Sequence, residues 1–223
     1  MTHALIEPSL PEAAFATRAI HAGPGPDEAT GAVLTPVHQS TTYRQDGVGR
    51  DRGYTYSRCG NPTVAALEER LGQLEGVGPA IVTSTGMAAT TTLFLSELCA
   101  GDRVVLGDVV YGGTTRVLQQ ILARFGVRAD FVDTSDLAAV RRVLIQPAKL
   151  VFVETPANPT LKLTDLAAVA ELAHAAGALF VVDNTFLTPA LQDCFELGAD
   201  VVVYSTTKHI EGHNSTVGGA LLA

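Results

Sequence analysis

Tryptophan is absent from this 223-residue chain, and cysteine is rare. Cys59, Cys99 and Cys194 are odd in number and widely separated, which argues against a disulfide framework or a zinc site and favours reduced thiols in the cytoplasm. No apolar run approaches the ~20 residues that a membrane-spanning helix needs. The first residues, which include Glu7 and Pro11, lack the basic and apolar blocks of a secretion signal.

Basic residues are outnumbered as well, with 15 Lys+Arg against 23 Asp+Glu and a net charge of −8. Nucleic-acid binding requires clustered positive charge, so the composition argues against it. Hydrophobic residues make up 47% of the chain, and a chain of this length buries roughly 70–75% of its unfolded surface. The composition therefore indicates one large folded domain or two small ones.

Lysine is the scarcest charged residue, since only Lys149, Lys162 and Lys208 occur. Lys149 precedes a predicted strand and Lys162 lies in a predicted loop, so both are expected to be solvated surface charges. Lys208 instead follows the end of a predicted strand, in the sequence Ser-Thr-Thr-Lys. Taken alone, this tetrapeptide is equally typical of an ordinary charged loop after a strand.

An acidic residue occupies the matching position one strand earlier in the chain. The apolar runs 178–182 and 200–204 are typical of buried parallel strands, and a predicted helix joins them. Because parallel strands end at the same edge of a sheet, Asp183 and Lys208 are expected to meet there, where ligands of such sheets bind. Pyridoxal phosphate suits this pair, since it needs an amine for a Schiff base and an anion for its pyridine nitrogen.

Apolar patterns that favour helices and strands alternate from residue 64 onwards. Helices are predicted over residues 64–74, 87–99, 114–125, 137–144, 166–176 and 189–197. Strands are predicted over residues 80–83, 103–106, 129–132, 150–154, 178–182, 200–204 and 217–222. This alternation predicts an α/β fold, a doubly wound and mostly parallel sheet of about seven strands with helices on both faces.

Residues 1–57 differ from the rest, because they show little periodicity and include Gly-Pro-Gly-Pro at 23–26. An irregular segment of this length builds no core of its own. We therefore expect an N-terminal arm, residues 1–57, that contacts a partner subunit, followed by one cofactor-binding domain over residues 58–223.

Two glycine-containing motifs join predicted strands to predicted helices. Residues 84–89, Ser-Thr-Gly-Met-Ala-Ala, offer backbone amides for an anion at the positive helix end, or simply a helix cap at Thr85. They lack the lysine of a P-loop and the three glycines of a dinucleotide fingerprint. Tyr111, in Tyr-Gly-Gly-Thr, either lies against an aromatic cofactor or is a packed turn tyrosine.

Three further motifs have both a functional and a structural interpretation. In residues 54–63, Arg58 and Tyr56 could bind a phosphate, or the segment only starts a helix at Pro62. In Glu-Thr-Pro-Ala-Asn-Pro, residues 154–159, Asn158 could reach a phenolic oxygen, or the prolines only shape a turn. The histidines of 209–213 are four apart, but Gly212 argues against the helix that would bring them together on a metal.

Six motifs in this order resemble the Cys/Met-metabolism family of pyridoxal-phosphate enzymes, from about residue 21 to the last residue. The resemblance implies the large domain of a fold-type-I pyridoxal-phosphate-dependent transferase. It implies that Lys208 forms the Schiff base with the cofactor and carries protons. Asp183 would keep the pyridine nitrogen protonated, and Tyr111 would stack on the ring and assist proton transfer.

The resemblance also implies the remaining cofactor contacts. The cofactor phosphate would be held by backbone and hydroxyl groups of Gly86, Met87, Ser205 and Thr207. Tyr56 and Arg58 match residues that the family donates to the phosphate of the adjacent subunit, which implies a homo-oligomer with shared active sites, at least a dimer and expected to be a tetramer. Asn158 would lie near the phenolic oxygen, with Glu154 beside it.

Within the family, Tyr-Gly-Gly-Thr-Thr-Arg resembles cystathionine γ-synthases and γ-lyases, whereas methionine γ-lyases usually carry a cysteine at the position of Gly113. The resemblance thus implies trans-sulfuration at the γ carbon of a small amino-acid substrate; a methionine γ-lyase, a homoserine-ester sulfhydrylase and a non-catalytic relative stay open. Family members continue past the position of Ala223 into a domain that binds the substrate carboxylate. We expect that domain to be absent, in a fragment or a truncated relative.

Overall fold

The structure is a computed structural model that describes residues 13–223, and these fall into two compact units that divide between Ala80 and Ile81. Glu7 and Pro11, which were used to argue against a secretion signal, lie outside the described residues. The units divide after residue 80 and not after residue 57, so the first helix of the expected cofactor domain belongs to the first unit. The assignment of residues 1–57 to a partner contact stays a prediction.

The described residues of the first unit, 13–80, contain two helices, α1 (Phe15–His21) and α2 (Pro62–Glu75). The Asn61 side chain caps α2 by accepting from Thr63 N, and Gly76 ends the helix with φ 74°. The sequence predicted α2 but missed α1, because α1 is short, buries no residue and has no side-chain cap. The arm is tied to α2 through a hydrogen bond from Arg70 Nε to Ala22 O, 2.7 Å.

The second unit is built on the predicted seven-stranded sheet. Its strands are β1 (Ile81–Thr83), β2 (Arg103–Gly107), β3 (Arg128–Val132), β4 (Leu150–Glu154), β5 (Leu179–Asp183), β6 (Val201–Tyr204) and β7 (Gly219–Leu222). Their order across the sheet is β1-β7-β6-β5-β4-β2-β3. Only β7 runs against its neighbours, so the prediction of a mostly parallel sheet is confirmed.

The helices of the second unit are α3 (Gly86–Glu97), α4 (Gly112–Arg116), α5 (Leu137–Val143), α6 (Leu166–Ala175) and α7 (Thr188–Leu191). Side chains of Thr85, Asp136 and Asp165 cap α3, α5 and α6, which explains why these helices begin close to their predicted starts. The predicted helix 114–125 is instead α4 followed by a π turn (Val117–Ile121) and a 3₁₀ turn (Leu122–Phe125).

The helix predicted over residues 189–197 was wrong beyond its first turn. Asn184 Nδ2 donates to Gln192 O at 3.1 Å, and Gln192 Nε2 donates back to Asn184 Oδ1 at 3.0 Å. These two hydrogen bonds hold Gln192 in extended backbone, with φ −147°, so α7 ends at Leu191. The following turn buries Cys194 completely.

The core of the second unit lies along β2, β4, β5 and β6, whose apolar residues are almost fully buried. Phe152 of β4 packs against Phe94 of α3 with ring centroids 5.7 Å apart. Continuous apolar strands of this kind leave polar side chains to the strand ends, where Glu154 and Asp183 lie in neighbouring register. Within residues 13–223, no helix is long and apolar enough to cross a membrane.

Candidate functional site

A cleft of about 420 Å³ opens in the second unit at the carboxyl ends of β4, β5 and β6. Nine of the eleven predicted site residues line it, namely Gly86, Met87, Tyr111, Glu154, Asn158, Asp183, Ser205, Thr207 and Lys208. Residues that the sequence analysis did not assign to the site also contribute, namely Thr85, Thr90, Thr114, Thr185, Phe186, Val203 and Val217. The predicted residues of this unit therefore share one cleft, while their individual roles stay predictions.

Strand register places the acid and the segment that carries the lysine at the same edge of the sheet. Asp183 pairs with Val203 across the parallel strands β5 and β6, so both strands end on the same side of the cleft. A tight turn follows β6 at once, with Lys208 N donating to Ser205 O at 3.2 Å. Lys208 is the one lysine among the residues that line the cleft, and its side chain is exposed.

The start of α3 forms a cradle suited to an anion. Thr85 Oγ1 accepts from Ala88 N at 3.0 Å, whereas the amides of Gly86 and Met87 have no hydrogen-bond partner in the described part of the chain. A Cβ atom at Gly86 would lie 2.6 Å from Ser205 Cβ, so glycine is what allows the helix to start this close to the end of β6. Free amides at a helix N-terminus favour phosphate binding.

The hydroxyl of Thr207 already has backbone partners. It accepts from Gly218 N at 3.0 Å and lies 3.2 Å from Gly218 O, which it can reach as a donor. The Thr207 side chain thus closes the loop between β6 and β7 while lining the cleft. Its predicted contact with a phosphate stays a prediction.

Glu154 joins two loops at the floor of the cleft. Its Oε2 atom accepts from Tyr111 N at 2.5 Å and its Oε1 atom accepts from Asn158 N at 3.0 Å, and the residue is only 5% exposed. Burial, followed by repulsion from Asp183, raises the pKa of Glu154 to about 7, although the two amides lower it. Glu154 therefore titrates near neutrality.

Asp183 forms no ion pair with a basic side chain of the described residues. Burial raises its pKa, although the amide and hydroxyl of Thr185 stabilise the charged form. No Lys, Arg or His of the described chain lies within ion-pair distance of Asp183 or Glu154. The cleft is thus arranged for a ligand that presents a protonated group to this acid.

Thr185 is the clearest functional residue that the sequence analysis missed. Its amide donates to Asp183 Oδ1 at 3.1 Å, and its Oγ1 atom accepts from Ser205 N at 2.9 Å. It therefore orients the acid and ties β5 to the end of β6. The signal was a hydroxyl residue two positions after a strand-end aspartate, a spacing typical of Asx turns.

Tyr111 and its glycines form the rim of the cleft. Tyr111 is 53% exposed, so its ring is open to a ligand. A Cβ atom at Gly113 would lie 2.5 Å from Tyr111 Cε1 and 2.6 Å from Met87 Sδ. Any side chain at this position would displace the tyrosine or the methionine.

Tyr56 and Arg58 lie in the first unit. The Arg58 guanidinium carbon lies 4.7 Å from the centroid of the Tyr56 ring, a cation–π contact. This contact orients the guanidinium, and the predicted binding of a phosphate in an adjacent subunit stays a prediction.

The two other lysines differ from each other. Lys149 is exposed, as expected. Lys162 was expected to be solvated, but its Nζ atom lies 2.8 Å from Asp108 Oδ1 and 2.7 Å from Asp133 Oδ1. The expectation was wrong because the two acids, distant in sequence, follow strands that lie side by side in the sheet.

Comparison with known proteins gives consistent results. The profile of the family described as Cys/Met metabolism PLP-dependent enzyme matches residues 16–223. The chain is 49% identical over 208 residues to a probable cystathionine gamma-synthase of Herpetosiphon aurantiacus, covering 93% of this chain and 65% of that protein. It is 46% identical over 206 residues to a cystathionine gamma-lyase of Bacillus subtilis, covering 92% of this chain and 54% of that protein.

A solved structure shows the same fold. The cystathionine gamma synthase of Xanthomonas oryzae pv. oryzae, in complex with aminoacrylate and cysteine, superposes with a TM-score of 0.91 at 43% identity, covering 95% of this chain and 55% of that one. The chain spans a little over half to about two thirds of the length of these relatives.

The pKa of Glu154 predicts a pH-dependent stability. Because folding raises this pKa from 4.5 to about 7, the folded protein holds the proton more tightly, and the resulting stabilisation is present below pH 4.5 and lost as the pH rises through about 7. At about 1.4 kcal/mol per pKa unit, the loss is at most on the order of 3 kcal/mol. Urea unfolding at pH 5 and pH 8 measures it.

The matched variant is Glu154→Gln, whose amide does not titrate. We expect it to show a smaller loss of unfolding free energy between pH 5 and pH 8, with the remaining loss due to Asp183, whose pKa is raised in the same direction. Equal losses in the two proteins would contradict the assigned pKa.

Proposed function

We propose that this chain, which belongs to the Cys/Met metabolism family of PLP-dependent enzymes, is the cofactor-binding part of a trans-sulfuration enzyme that forms or cleaves cystathionine. The observation that carries the proposal is that Lys208, in the turn after β6, and Asp183, at the end of the adjacent parallel strand β5, line the same cleft. Relatives named as cystathionine gamma-synthase and cystathionine gamma-lyase cover more than nine tenths of the chain.

The described residues fit pyridoxal 5′-phosphate. The cradle at Gly86 and Met87 suits the phosphate, because its amides have no partner among residues 13–223 and because a Cβ at Gly86 would collide with Ser205. Asp183 suits the pyridine nitrogen, and the exposed Tyr111 ring can lie against the cofactor ring. When bound, pyridoxal phosphate would supply an aldehyde for an amine and a ring that accepts electrons released from the substrate.

The position of each residue in the cleft indicates its role in binding and proton transfer. Asp183, held by Thr185, would keep a proton on the ring nitrogen, since a desolvated carboxylate is stabilised by a positive partner. Lys208 would bind the cofactor through Nζ and, when released, carry a proton at that atom. Glu154 would hold the loops of Tyr111 and Asn158 in place, because its carboxylate accepts a hydrogen bond from the amide of each residue.

Gly113 favours the cystathionine enzymes over a methionine γ-lyase. A cysteine at this position would bring its Cβ atom to 2.5 Å from Tyr111 Cε1, so the tyrosine would have to move. The substrate is a small amino acid with a reactive γ carbon, either an activated homoserine or cystathionine. A non-catalytic protein that keeps the cofactor pocket is the alternative.

The test of the function uses the natural full-length protein. Visible absorbance should show bound cofactor, and steady-state assays should show cystathionine formation from cysteine and an activated homoserine, or cystathionine cleavage. Bound cofactor without turnover of either kind would favour the non-catalytic alternative. Release of a thiol from methionine at a higher kcat/KM would instead indicate a methionine γ-lyase.

The role of Asp183 is tested by Asp183→Asn. The amide keeps the shape of the side chain but has no charge to hold a proton on the ring nitrogen. A hydrogen bond to a charged group is worth roughly 1.5–3 kcal/mol, so we expect kcat to fall about ten- to a hundredfold while the absorbance of bound cofactor persists. Undiminished kcat would show that Asp183 does not have this role.

We further infer a homo-oligomer with shared active sites, a dimer that forms part of a tetramer, located in the cytoplasm. The orientation of Arg58 by Tyr56 supports a role for the guanidinium in binding an anion. The absence of a disulfide among the three cysteines, all of which lie in the described residues, is consistent with a reducing compartment.

The shared site predicts complementation between two impaired variants when the cofactor concentration is limiting. Arg58→Ala should weaken cofactor binding about ten- to a hundredfold, because a lost bond to a charged phosphate costs roughly 1.5–3 kcal/mol. Mixed with Lys208→Ala, it should recover part of the activity, since one site of each mixed dimer would contain both native residues. Absence of recovery despite demonstrated subunit exchange would place Arg58 at the site of its own chain.

A further inference from the structure

Lys162 joins three loops at the rim of the sheet. Its Nζ atom lies 2.8 and 2.9 Å from the two carboxylate oxygens of Asp108 and 2.7 Å from Asp133 Oδ1. Asp108 directly follows β2, Asp133 directly follows β3, and Lys162 lies in the segment after β4. The Lys162 side chain is only 22% exposed, so these contacts are partly shielded from water.

The segment after β4, which carries Lys162, is also attached to the loop of Tyr111 through Glu154. Glu154, at its start, accepts from Tyr111 N, and Lys162, near its end, binds Asp108 three residues before Tyr111. The loop 108–111 is therefore attached to the segment 154–162 at both of its ends. Asn158 lies between the two attachments, since its amide donates to Glu154 Oε1.

The backbone around Lys162 is held in an uncommon conformation. Leu161 has φ 57°, in the left-handed region that is unfavourable for a residue with a side chain. Such a conformation persists where the surroundings fix it, and here Ala157 N donates to Lys162 O at 3.0 Å while Leu161 N donates to Ala157 O at 2.7 Å. The turn presents the Lys162 ammonium to both acids.

We propose that Lys162 is a positioning residue, whose two ion pairs fix the loop of Tyr111 and the turn of Asn158 at the rim of the cleft. Partly exposed ion pairs add little to global stability. Their effect is therefore local: they limit where Tyr111 and Asn158 can lie. The consequence for turnover rests on the proposed function, whereas the ordering of the two loops does not.

The experiment compares Lys162→Met with Lys149→Met, which removes an exposed lysine directly before β4, on the other side of this strand from the loop of Lys162. Hydrogen–deuterium exchange of the natural full-length protein should become faster in residues 108–116 and 155–164 of Lys162→Met only. In Lys162→Arg the exchange of these residues should stay as slow as in the unaltered protein, because a guanidinium can bind two carboxylates. Asp133→Asn should give a smaller increase than Lys162→Met, since the pair with Asp108 remains.

The kinetic readout separates positioning from loss of fold. We expect kcat of Lys162→Met to fall roughly tenfold, within the range that misplacement of a reacting group costs, with a nearly unchanged melting temperature and an altered circular dichroism of the bound cofactor. Lys149→Met should match the unaltered protein in all three measurements.

Two results would overturn the proposal. One is unchanged exchange of residues 108–116 and 155–164 in Lys162→Met; the other is an increase spread evenly over residues 81–223, which would show a general structural role. If the unaltered protein has no turnover, the proposed function fails, and the exchange comparison alone decides the role of Lys162.

Discussion

In β4, β5 and β6 the parallel register sets Glu154 opposite Asp183 and Asp183 opposite Val203. Everything at the cleft depends on this alignment, because successive strand residues point to opposite faces and a shift of one residue would turn Asp183 away from the cleft. The register is strongly specified, since the apolar residues before each acid are buried on both faces of the sheet. The packing of the core thereby fixes the positions of the two carboxylates at the cleft.

The charges in the cleft determine which kind of ligand it favours. Two carboxylates lie on adjacent strands with no basic partner among the described residues within ion-pair distance, and burial makes both of them harder to ionise. A bound anion alone would add to the repulsion, so the free amides of Gly86 and Met87 and the acid of Asp183 favour a ligand with an anionic end and a protonated end. Glu154 can moderate this charge, because it takes up a proton near neutral pH.

Much of this arrangement could be predicted from local patterns. The strands, the cap at Thr85 and the presence of Asp183 and Lys208 in one cleft follow from apolar runs, from a strand-to-helix motif and from the rule that parallel strands end at one edge. The short α7 and the ion pairs of Lys162 could not be predicted, because they arise from partners such as Asn184 and Asp133 that only the folded chain brings close. The helix and strand propensities of single residues predict neither the hydrogen bonds that end α7 nor the ion pairs of Lys162.

The position of β7 has a consequence for how the cleft is assembled during synthesis. β7 pairs with β1 on one side and β6 on the other, and Ile81 aligns with Leu221, so β1 joins the rest of the sheet only through β7. Contacts so distant in sequence form slowly. A nascent chain that has made β1 to β6 still exposes two unpaired strand edges, at β1 and at β6, and these edges are open to incorrect pairing. The cradle at Gly86 follows β1 directly, so β7 must be inserted before the sheet holds this cradle beside Ser205 at the end of β6.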